Sequence, residues 1–346
     1  MNEWLTDFGM FLAQLVAVVV IVALGVMVVM RSRGGESERT RLRVEELNGD
    51  RRRRRRRLQL AASEPGARKR LQKAFRRDDK ARGKHKDDAG GDVAGTVWVL
   101  DFHGDLKASA TGRFAEEVSA VLDVAGEKDE VVVRLESPGG LVHAYGHAAA
   151  ELDRLRQAGL STTVCVDKVA ASGGYLMACC ADRLRVAPFA VLGSIGVVAQ
   201  VPNLHRLLKR HDVDVEVLTA GRYKRTLTVF GENTEEGREK FLEDLENVHG
   251  LFKHYVAERR PDLDIEAVAT GESWYGQQAL PRGLADEIGT SEAYLVERMK
   301  EARVVSLRLE RRQPLAARLG LAVSDGVERG VERVVESLEA RGWQKR

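Results

Sequence analysis

The 346-residue sequence is poor in cysteine, with only Cys165, Cys179 and Cys180. An odd number of thiols, all within apolar strand-like or helix-like segments, gives no basis for a disulfide framework and predicts buried free thiols. Aromatic residues make up 5% of the chain, and the charge-rich residues 31–92 contain one of them, Phe75. Because RNA recognition relies on several aromatic side chains that stack on bases, and this segment has only one, we expect no nucleic-acid partner.

Sequence motifs of several hydrolase classes are also missing. No Ser-x-x-Lys occurs, and no Gly-x-Ser-x-Gly nucleophile elbow occurs, since Ala170 takes the place of the first glycine before Ser172. His143 and His147 have the i, i+4 spacing of a helical metal site, but no Glu follows His143 and no cluster of Cys or carboxylates completes the site. We therefore expect neither a metal nor a cofactor.

The first 30 residues contain no Lys or Arg, whereas a cleaved signal peptide begins with a basic region and ends at small residues. Residues 8–30 are apolar apart from Gln14 and a few small residues, and this length is sufficient to cross a bilayer as one helix. We therefore predict a retained transmembrane anchor within residues 1–30.

A strongly basic segment, residues 31–92, follows the predicted anchor and includes seven consecutive arginines, Arg51 to Arg57. We interpret it as a flexible or partly helical linker. Its run of arginines could bind anionic lipid headgroups or nucleic acid, but a solvated basic tether whose charge only fixes the topology is the favoured interpretation. By the positive-inside rule, these charges place the N-terminus outside and the following domain in the cytoplasm.

A serine stands between a strand-like and a helix-like segment in Ala-Ala-Ser-Gly-Gly-Tyr, residues 170–175. Residues 162–166 before it and 175–180 after it are apolar. At such a junction the Ser172 hydroxyl lies beside the backbone N–H groups of a helix N-terminus, which can stabilise an oxyanion. Because serine is also a common helix N-cap, this segment alone does not identify a nucleophile.

Two other segments join a strand-like run to a turn. Val131 to Leu135 lead into Ser-Pro-Gly-Gly at residues 137–140, where glycine lets a backbone N–H approach a ligand closely. Gly-Arg-Tyr-Lys at residues 221–224 follows the strand-like Val213 to Val217. A lysine acts as a general base when burial or nearby positive charge lowers its pKa, and Lys224 has arginines close to it in sequence. Each segment taken alone also fits an ordinary turn or a solvated basic loop.

From Thr96 onward, short strands and helices alternate, which favours parallel βαβ units with the helices outside the sheet. We predict strands at residues 96–102, 131–135, 162–166, 184–186, 195–198 and 213–218, and helices at residues 114–124, 141–157, 204–211 and 234–258. We also predict a helix that begins at Ser172. Residues 301–346 are predicted to be a charged, helical C-terminal tail.

In this order, Ser-Pro-Gly-Gly, Ala-Ser-Gly-Gly-Tyr and Gly-Arg-Tyr-Lys resemble the motifs of the signal peptide peptidase A (protease IV) family of membrane serine proteases, and most closely its SohB branch. Residues 192–197, 274–275 and 283–286 support the resemblance, which covers about residues 95–297. It implies an α/β fold of the crotonase/ClpP-like type, built from repeated ββα units, in a Ser-Lys peptidase domain of residues 93–300. One N-terminal transmembrane helix would precede it.

The resemblance also implies roles for five residues. Ser172 would be the nucleophile, and Lys224 would be the general base of a Ser–Lys dyad. Ser194 would orient the lysine amine, and the backbone N–H groups of Gly139 and Gly173 would form the oxyanion hole. The expected substrates are extended apolar peptides, such as signal peptide remnants or membrane protein fragments, and the expected assembly is a homo-oligomer.

Several alternatives are open at this point. A histidine such as His103 or His205 could replace the lysine as the base. A crotonase-like acyl-CoA hydratase or isomerase would share the fold but need neither Ser172 nor Lys224. A catalytically silent membrane scaffold would bind partners through the basic linker. The resemblance implies a bacterial inner membrane location, and it favours the periplasmic face, whereas the basic flank favours the cytoplasmic one.

Overall fold

The computed structural model describes residues 40–88 and 95–311. The predicted transmembrane segment lies outside these residues, and no helix among them is long and apolar enough to cross a membrane. The larger of two compact units comprises residues 43–309 and contains every described candidate site residue. In the other unit, the described residues 40–42 and 310–311 are the ends of two strands.

Short strands and helices alternate along the described chain, as predicted. The strands are β1 (Thr40–Glu46), β2 (Thr96–His103), β3 (Glu130–Glu136), β4 (Ser161–Val166), β5 (Val169–Ala171), β6 (Arg183–Val186), β7 (Val191–Gly193), β8 (Ser273–Tyr275), β9 (Glu287–Ile288) and β10 (Arg303–Arg311). The helices are α1 (Leu47–Ala61), α2 (Pro65–Asp88), α3 (Thr111–Leu122), α4 (Val142–Gln157), α5 (Gly173–Ala178), α6 (His205–Arg210), α7 (Glu235–Arg259), α8 (Ile265–Val268), α9 (Gly276–Ala279) and α10 (Ser291–Glu301). A 3₁₀ turn spans Leu280–Arg282.

A seven-stranded sheet with the order β1-β10-β2-β3-β4-β6-β9 forms the centre of the fold. Every strand pair from β10 to β9 is parallel. Leu100 and Phe102 of β2 belong to a large hydrophobic core on one face of the sheet, while Val97 and Val99 belong to a smaller core that includes Tyr294 of α10. Because both faces are covered, the central strand β3 is buried along most of its length and contains three consecutive valines, Val131 to Val133. The fold is therefore a mixed α/β fold with a mainly parallel sheet.

A second sheet of three short strands carries both candidate serines at its end. β5 pairs in parallel with β7, so that Ala171 lies opposite Gly193, and β7 pairs antiparallel with β8. A parallel bridge between Ser137 and Ala170 joins this sheet to the end of β3. The carboxyl ends of β3, β5 and β7 therefore lie side by side.

Two predicted strands are not formed. The chain leaves the extended conformation before residues 195–198, because Gly193 and Ser194 have φ angles of 93° and 52°. Residues 213–218 have no regular structure, although their valines alternate as in a strand. These valines are exposed in the single chain, so no core selects the strand conformation there.

The described part of the predicted linker is largely helical, in agreement with the second of its two predicted forms. β1, α1 and α2 occupy residues 40–88, so this part is not a flexible chain. The side chain of Asn48 donates hydrogen bonds to the carbonyl oxygens of Met299 and Ala302 and accepts one from the N–H of Val304. These bonds attach the start of α1 to the end of α10 and to β10, a long-range contact that local composition does not reveal.

The boundary predicted at residue 300 also requires correction. Residues 303–311, which were expected to belong to a helical tail, form β10. Val304 pairs with Val97 of β2 and both are buried, so the partner strand determines the extended conformation. Residues 312–346 lie outside the described residues, and the remaining domain boundaries stay predictions.

Candidate active site

Ser172 occupies a sharp turn between β5 and α5. Its φ and ψ angles are 51° and −120°, a combination that costs a residue with a Cβ atom on the order of 1–3 kcal/mol. The Ser172 N–H donates to the carbonyl of Gly193 at 2.8 Å, and its own carbonyl accepts from the N–H of Leu176 at 3.0 Å. The surrounding structure therefore holds this half-buried serine in a strained conformation, and the predicted helix start at Ser172 is confirmed.

Gly139 and Gly173 lie beside this turn. A Cβ atom on Gly139 would lie 2.8 Å from the Cβ of Ser172 and from the amide nitrogen of Gly173. Gly139 also has a φ of 90°, so glycine is required at this position for two reasons. The N–H of Gly173 lies in the first turn of α5, where no acceptor exists within the helix. The structure thus gathers these two residues around Ser172.

A buried hydroxyl network supports the Gly139 turn. The Gly139 N–H donates to Ser137 Oγ at 3.1 Å, Ser137 Oγ lies 2.6 Å from the Tyr145 hydroxyl, and that hydroxyl donates to the carbonyl of Asp105 at 2.8 Å. Burial raises the pKa of Tyr145, so its hydroxyl stays protonated and continues to donate. Sequence reasoning did not assign these supporting residues, although Ser137 stands within the Ser-Pro-Gly-Gly motif.

Ser194 directly follows β7, as Ser172 directly follows β5. Because Ala171 and Gly193 are paired in the parallel register, the two serines lie at equivalent positions of neighbouring strands. Ser194 has a φ of 52°, and its N–H donates to the carbonyl of Glu272 at 2.6 Å. Four of the five predicted site residues are therefore close together at one edge of the small sheet.

The fifth residue, Lys224, is not placed against them in the single chain. It lies in an exposed segment without regular structure, and its N–H donates to the carbonyl of Gly221 at 3.1 Å. No hydrogen bond joins Lys224 Nζ to Ser172 or to Ser194.

The histidines noted in the sequence do not build a site. His143 and His147 are both exposed on α4, where His147 Nε2 lies 3.3 Å from a carboxylate oxygen of Glu151. Neither His103 nor His205 forms a hydrogen bond with Ser172. Within residues 40–88 and 95–311, no group of three or more His, Cys, Asp or Glu side chains could hold a metal ion.

The contacts of Gly139 lead to a testable prediction. We expect Gly139→Ala to lower the free energy of unfolding by about 1–3 kcal/mol, since the new methyl group meets Ser172 and the backbone strain is added. Activity should also fall at least about tenfold.

Gly146→Ala is the matched control, because Gly146 lies within α4 with nothing within 4 Å of the new methyl group. This variant should gain roughly 0.5–1 kcal/mol and keep its activity. Chemical denaturation and peptide hydrolysis measure both variants. Equal stability of the two would contradict the placement of Gly139.

These observations define a class of protein: an α/β protein with a serine on a strained strand–helix turn and two glycine N–H groups beside it. Comparison with known proteins then shows the family. Residues 154–306 match Peptidase family S49, and residues 3–152 match Peptidase family S49 N-terminal. The chain therefore belongs to peptidase family S49 and is a protease.

Two bacterial proteins illustrate what this chain is similar to. Probable protease SohB of Haemophilus influenzae is 47% identical over 328 residues, which cover 92% of this chain and 93% of that protein. Probable protease SohB of Buchnera aphidicola subsp. Acyrthosiphon pisum is 50% identical over 228 residues, covering 66% of this chain and 68% of the relative. The resemblance to the SohB branch is confirmed, and a protease is favoured over an acyl-CoA enzyme.

A more distant likeness is seen among solved structures. The membrane-bound stomatin-specific protease 1510-N matches with a TM-score of 0.39 and 13% identity, over 60% of this chain and 85% of the solved one. The description of the fold therefore rests on the strand order of this chain itself.

Proposed function

We propose that this protease is a serine endopeptidase that cleaves extended apolar peptides with a Ser–Lys dyad, Ser172 and Lys224, on a crotonase/ClpP-like fold of repeated ββα units. The observation that carries the proposal is the strained Ser172 turn, which lies at a helix N-terminus between Gly139 and Ser194. Strain of this kind is found mainly where function requires it.

The chemistry follows from these positions. Neutral Lys224 accepts the proton of the Ser172 hydroxyl, and Oγ attacks the peptide carbonyl to form a tetrahedral oxyanion. The Gly173 N–H, together with the Gly139 N–H released from Ser137, donates hydrogen bonds to this oxyanion. Lys224 then gives the proton to the leaving amine, and a water molecule hydrolyses the acyl-enzyme by the same steps. Ser194 accepts a hydrogen bond from the lysine amine and orients it.

The test is hydrolysis of a fluorogenic apolar peptide by the full chain in detergent, compared with Ser172→Ala. Mass spectrometry of the wild-type protein during turnover should detect an acyl group on the peptide that contains Ser172. An acyl group on another residue, or hydrolysis without any acyl-enzyme, would contradict the proposal.

The exposed segment around Lys224 supports assembly into a homo-oligomer. Leu218 is 88% exposed and Phe230 is 51% exposed, and the valines between residues 213 and 217 are also exposed. Apolar side chains concentrated in one segment are typical of a surface that another protein covers. A second copy that buries this segment would also remove water from Lys224, which promotes its role as a base.

We therefore expect Leu218→Asp to weaken the assembly by about 30-fold or more, because a charge would be buried at an apolar contact. Peptide hydrolysis should fall in parallel. Val124→Asp, at an exposed valine outside this segment, is the matched control and should keep both properties. Light scattering of the detergent-solubilised protein measures the mass. An unchanged mass in Leu218→Asp would rule out this surface as the contact.

The proposal extends to a single-pass location in a bacterial inner membrane. The apolar residues 8–30 support an anchor, and the arginines that follow support a cytoplasmic peptidase domain, with the periplasmic face as the alternative. Digestion of intact spheroplasts by an external protease tests this placement. A protected domain supports the cytoplasmic side, and a cleaved domain supports the periplasmic side.

A further inference from the structure

The helices α1 and α2 form a hairpin with a large excess of positive charge. Residues 47–81 contain fourteen Lys and Arg residues against four Asp and Glu residues. None of the residues of α1 is fully buried, and only Leu47 at its start packs against a hydrophobic core, so the arginine-rich part of the helix is not held by one. A helix that is polar all round needs charge pairs or a partner to be stable.

The hairpin is held by specific contacts and is not a loose tether. Arg56 of α1 donates to both carboxylate oxygens of Asp79 at 2.7 and 2.8 Å and to Asp78 at 2.8 Å, and its guanidinium lies 5.0 Å from the Phe75 ring centre. Asn48 attaches the start of the hairpin to the end of α10 and to β10. The remaining arginines of α1 therefore project from a hairpin whose structure is fixed by these contacts; we call this hairpin the scaffold.

Part of the positive charge on this scaffold has no counter-charge among the residues that the structure describes. Arg54, Arg55 and Arg57 are exposed and form no ion pair with any described residue. Arginines three and four positions apart on one helix repel each other and destabilise it. An anionic surface laid against the hairpin would remove this repulsion.

We propose that the α1–α2 hairpin docks on the anionic headgroups of the lipid bilayer that holds the anchor. This inference rests on the proposed membrane anchor and adds a second contact with the membrane. Twenty residues separate the end of the apolar segment at Met30 from Arg51, so the hairpin is tethered within roughly 70 Å of the bilayer. Each basic side chain near an anionic surface strengthens such binding by roughly fivefold.

A lipid surface fits the hairpin better than a nucleic acid does. The hairpin contains a single aromatic residue, Phe75, which is engaged with Arg56 and is not displayed for stacking on bases. The predicted anchor also raises the local concentration of lipid headgroups around the hairpin, an advantage that nucleic acid does not share.

The experiment uses the full chain reconstituted into vesicles of phosphatidylcholine alone, or with about 30% phosphatidylglycerol. Hydrogen exchange followed by mass spectrometry reports on the amides of α1. We expect exchange in residues 51–61 to be at least about fivefold slower in the anionic vesicles. About 0.5 M NaCl should remove the difference, because the Debye length then falls to roughly 4 Å.

The triple variant Arg54→Gln, Arg55→Gln, Arg57→Gln should lose this protection, since three contacts together contribute roughly 100-fold. Glutamine keeps a high helix propensity, so the helix itself is preserved. The matched control removes three exposed basic residues elsewhere, with Arg206→Gln, Arg210→Gln and Lys300→Gln, and should retain the protection. Both variants should hydrolyse a soluble peptide as the wild type does.

The possible results distinguish lipid docking of the hairpin from the membrane anchor and from the peptidase mechanism. Equal exchange of α1 in the two vesicles, or protection only when RNA or DNA is added, would overturn lipid docking. A full chain that does not float with either vesicle would overturn the anchor and the docking together. Loss of hydrolysis in Ser172→Ala bears on the peptidase mechanism alone and leaves the exchange result unaffected.

Discussion

Replacing Ser172 by alanine is expected to reduce peptide hydrolysis by at least about 10⁴-fold. The variant removes the hydroxyl oxygen that attacks the substrate and changes nothing else on the turn, since alanine keeps the Cβ atom and the same backbone strain. The free energy of unfolding should therefore stay within roughly 0.5 kcal/mol of the wild type. A variant that is folded and still fully active would place the nucleophile at another residue.

Ser172→Gly provides a second test, because it relieves the backbone strain of the turn and also removes the reactive hydroxyl. Glycine adopts a φ of 51° without cost, so we expect the variant to be more stable than the wild type by about 1 kcal/mol or more and still inactive. Asp212→Gly is the matched control, since Asp212 also has a positive φ of 54° but stands apart from the serine turn. It should gain stability and retain activity.

Lys224→Met is expected to lower hydrolysis by about 10²–10⁴-fold, the range for loss of a general base. Methionine keeps a long unbranched chain, so packing and assembly of the segment should persist. Lys209→Met, which changes another exposed lysine of the same part of the chain, should leave hydrolysis nearly unchanged. Hydrolysis rates for both variants at equal oligomer mass provide the measurement.

The pH profile gives an independent check on the same residue. A general base acts only in its neutral form, so hydrolysis by the wild type should rise with pH, and a lysine base requires this rise to disappear in Lys224→Met. A rise that persists at full amplitude in Lys224→Met would assign the base to a histidine such as His103.

The sequence predicted the elements that depend on local patterns. The β-branched run before Ser-Pro-Gly-Gly is the strand β3, and the apolar segment after Ser172 begins with the helix α5. These elements are encoded by neighbours a few residues apart, so a single sequence is enough to find them. The failure at residues 213–218 follows from the same dependence, because alternating valines indicate a strand only when a core covers one side of them.

The sequence by itself determined the order of the motifs, the nature of the reactive side chains and, through them, the protease family. Only the tertiary structure decided which of these residues meet. The register between Ala171 and Gly193 aligns Ser172 with Ser194 at the ends of two three-residue strands. The backbone of Gly139 lies close to Ser172 and Gly173, which brings the four candidate site residues together. The exposed position of Lys224 and the Asn48 bonds that anchor the basic hairpin are likewise decided by partners distant in sequence. Such contacts depend on packing between separate elements, and local sequence patterns do not reveal them.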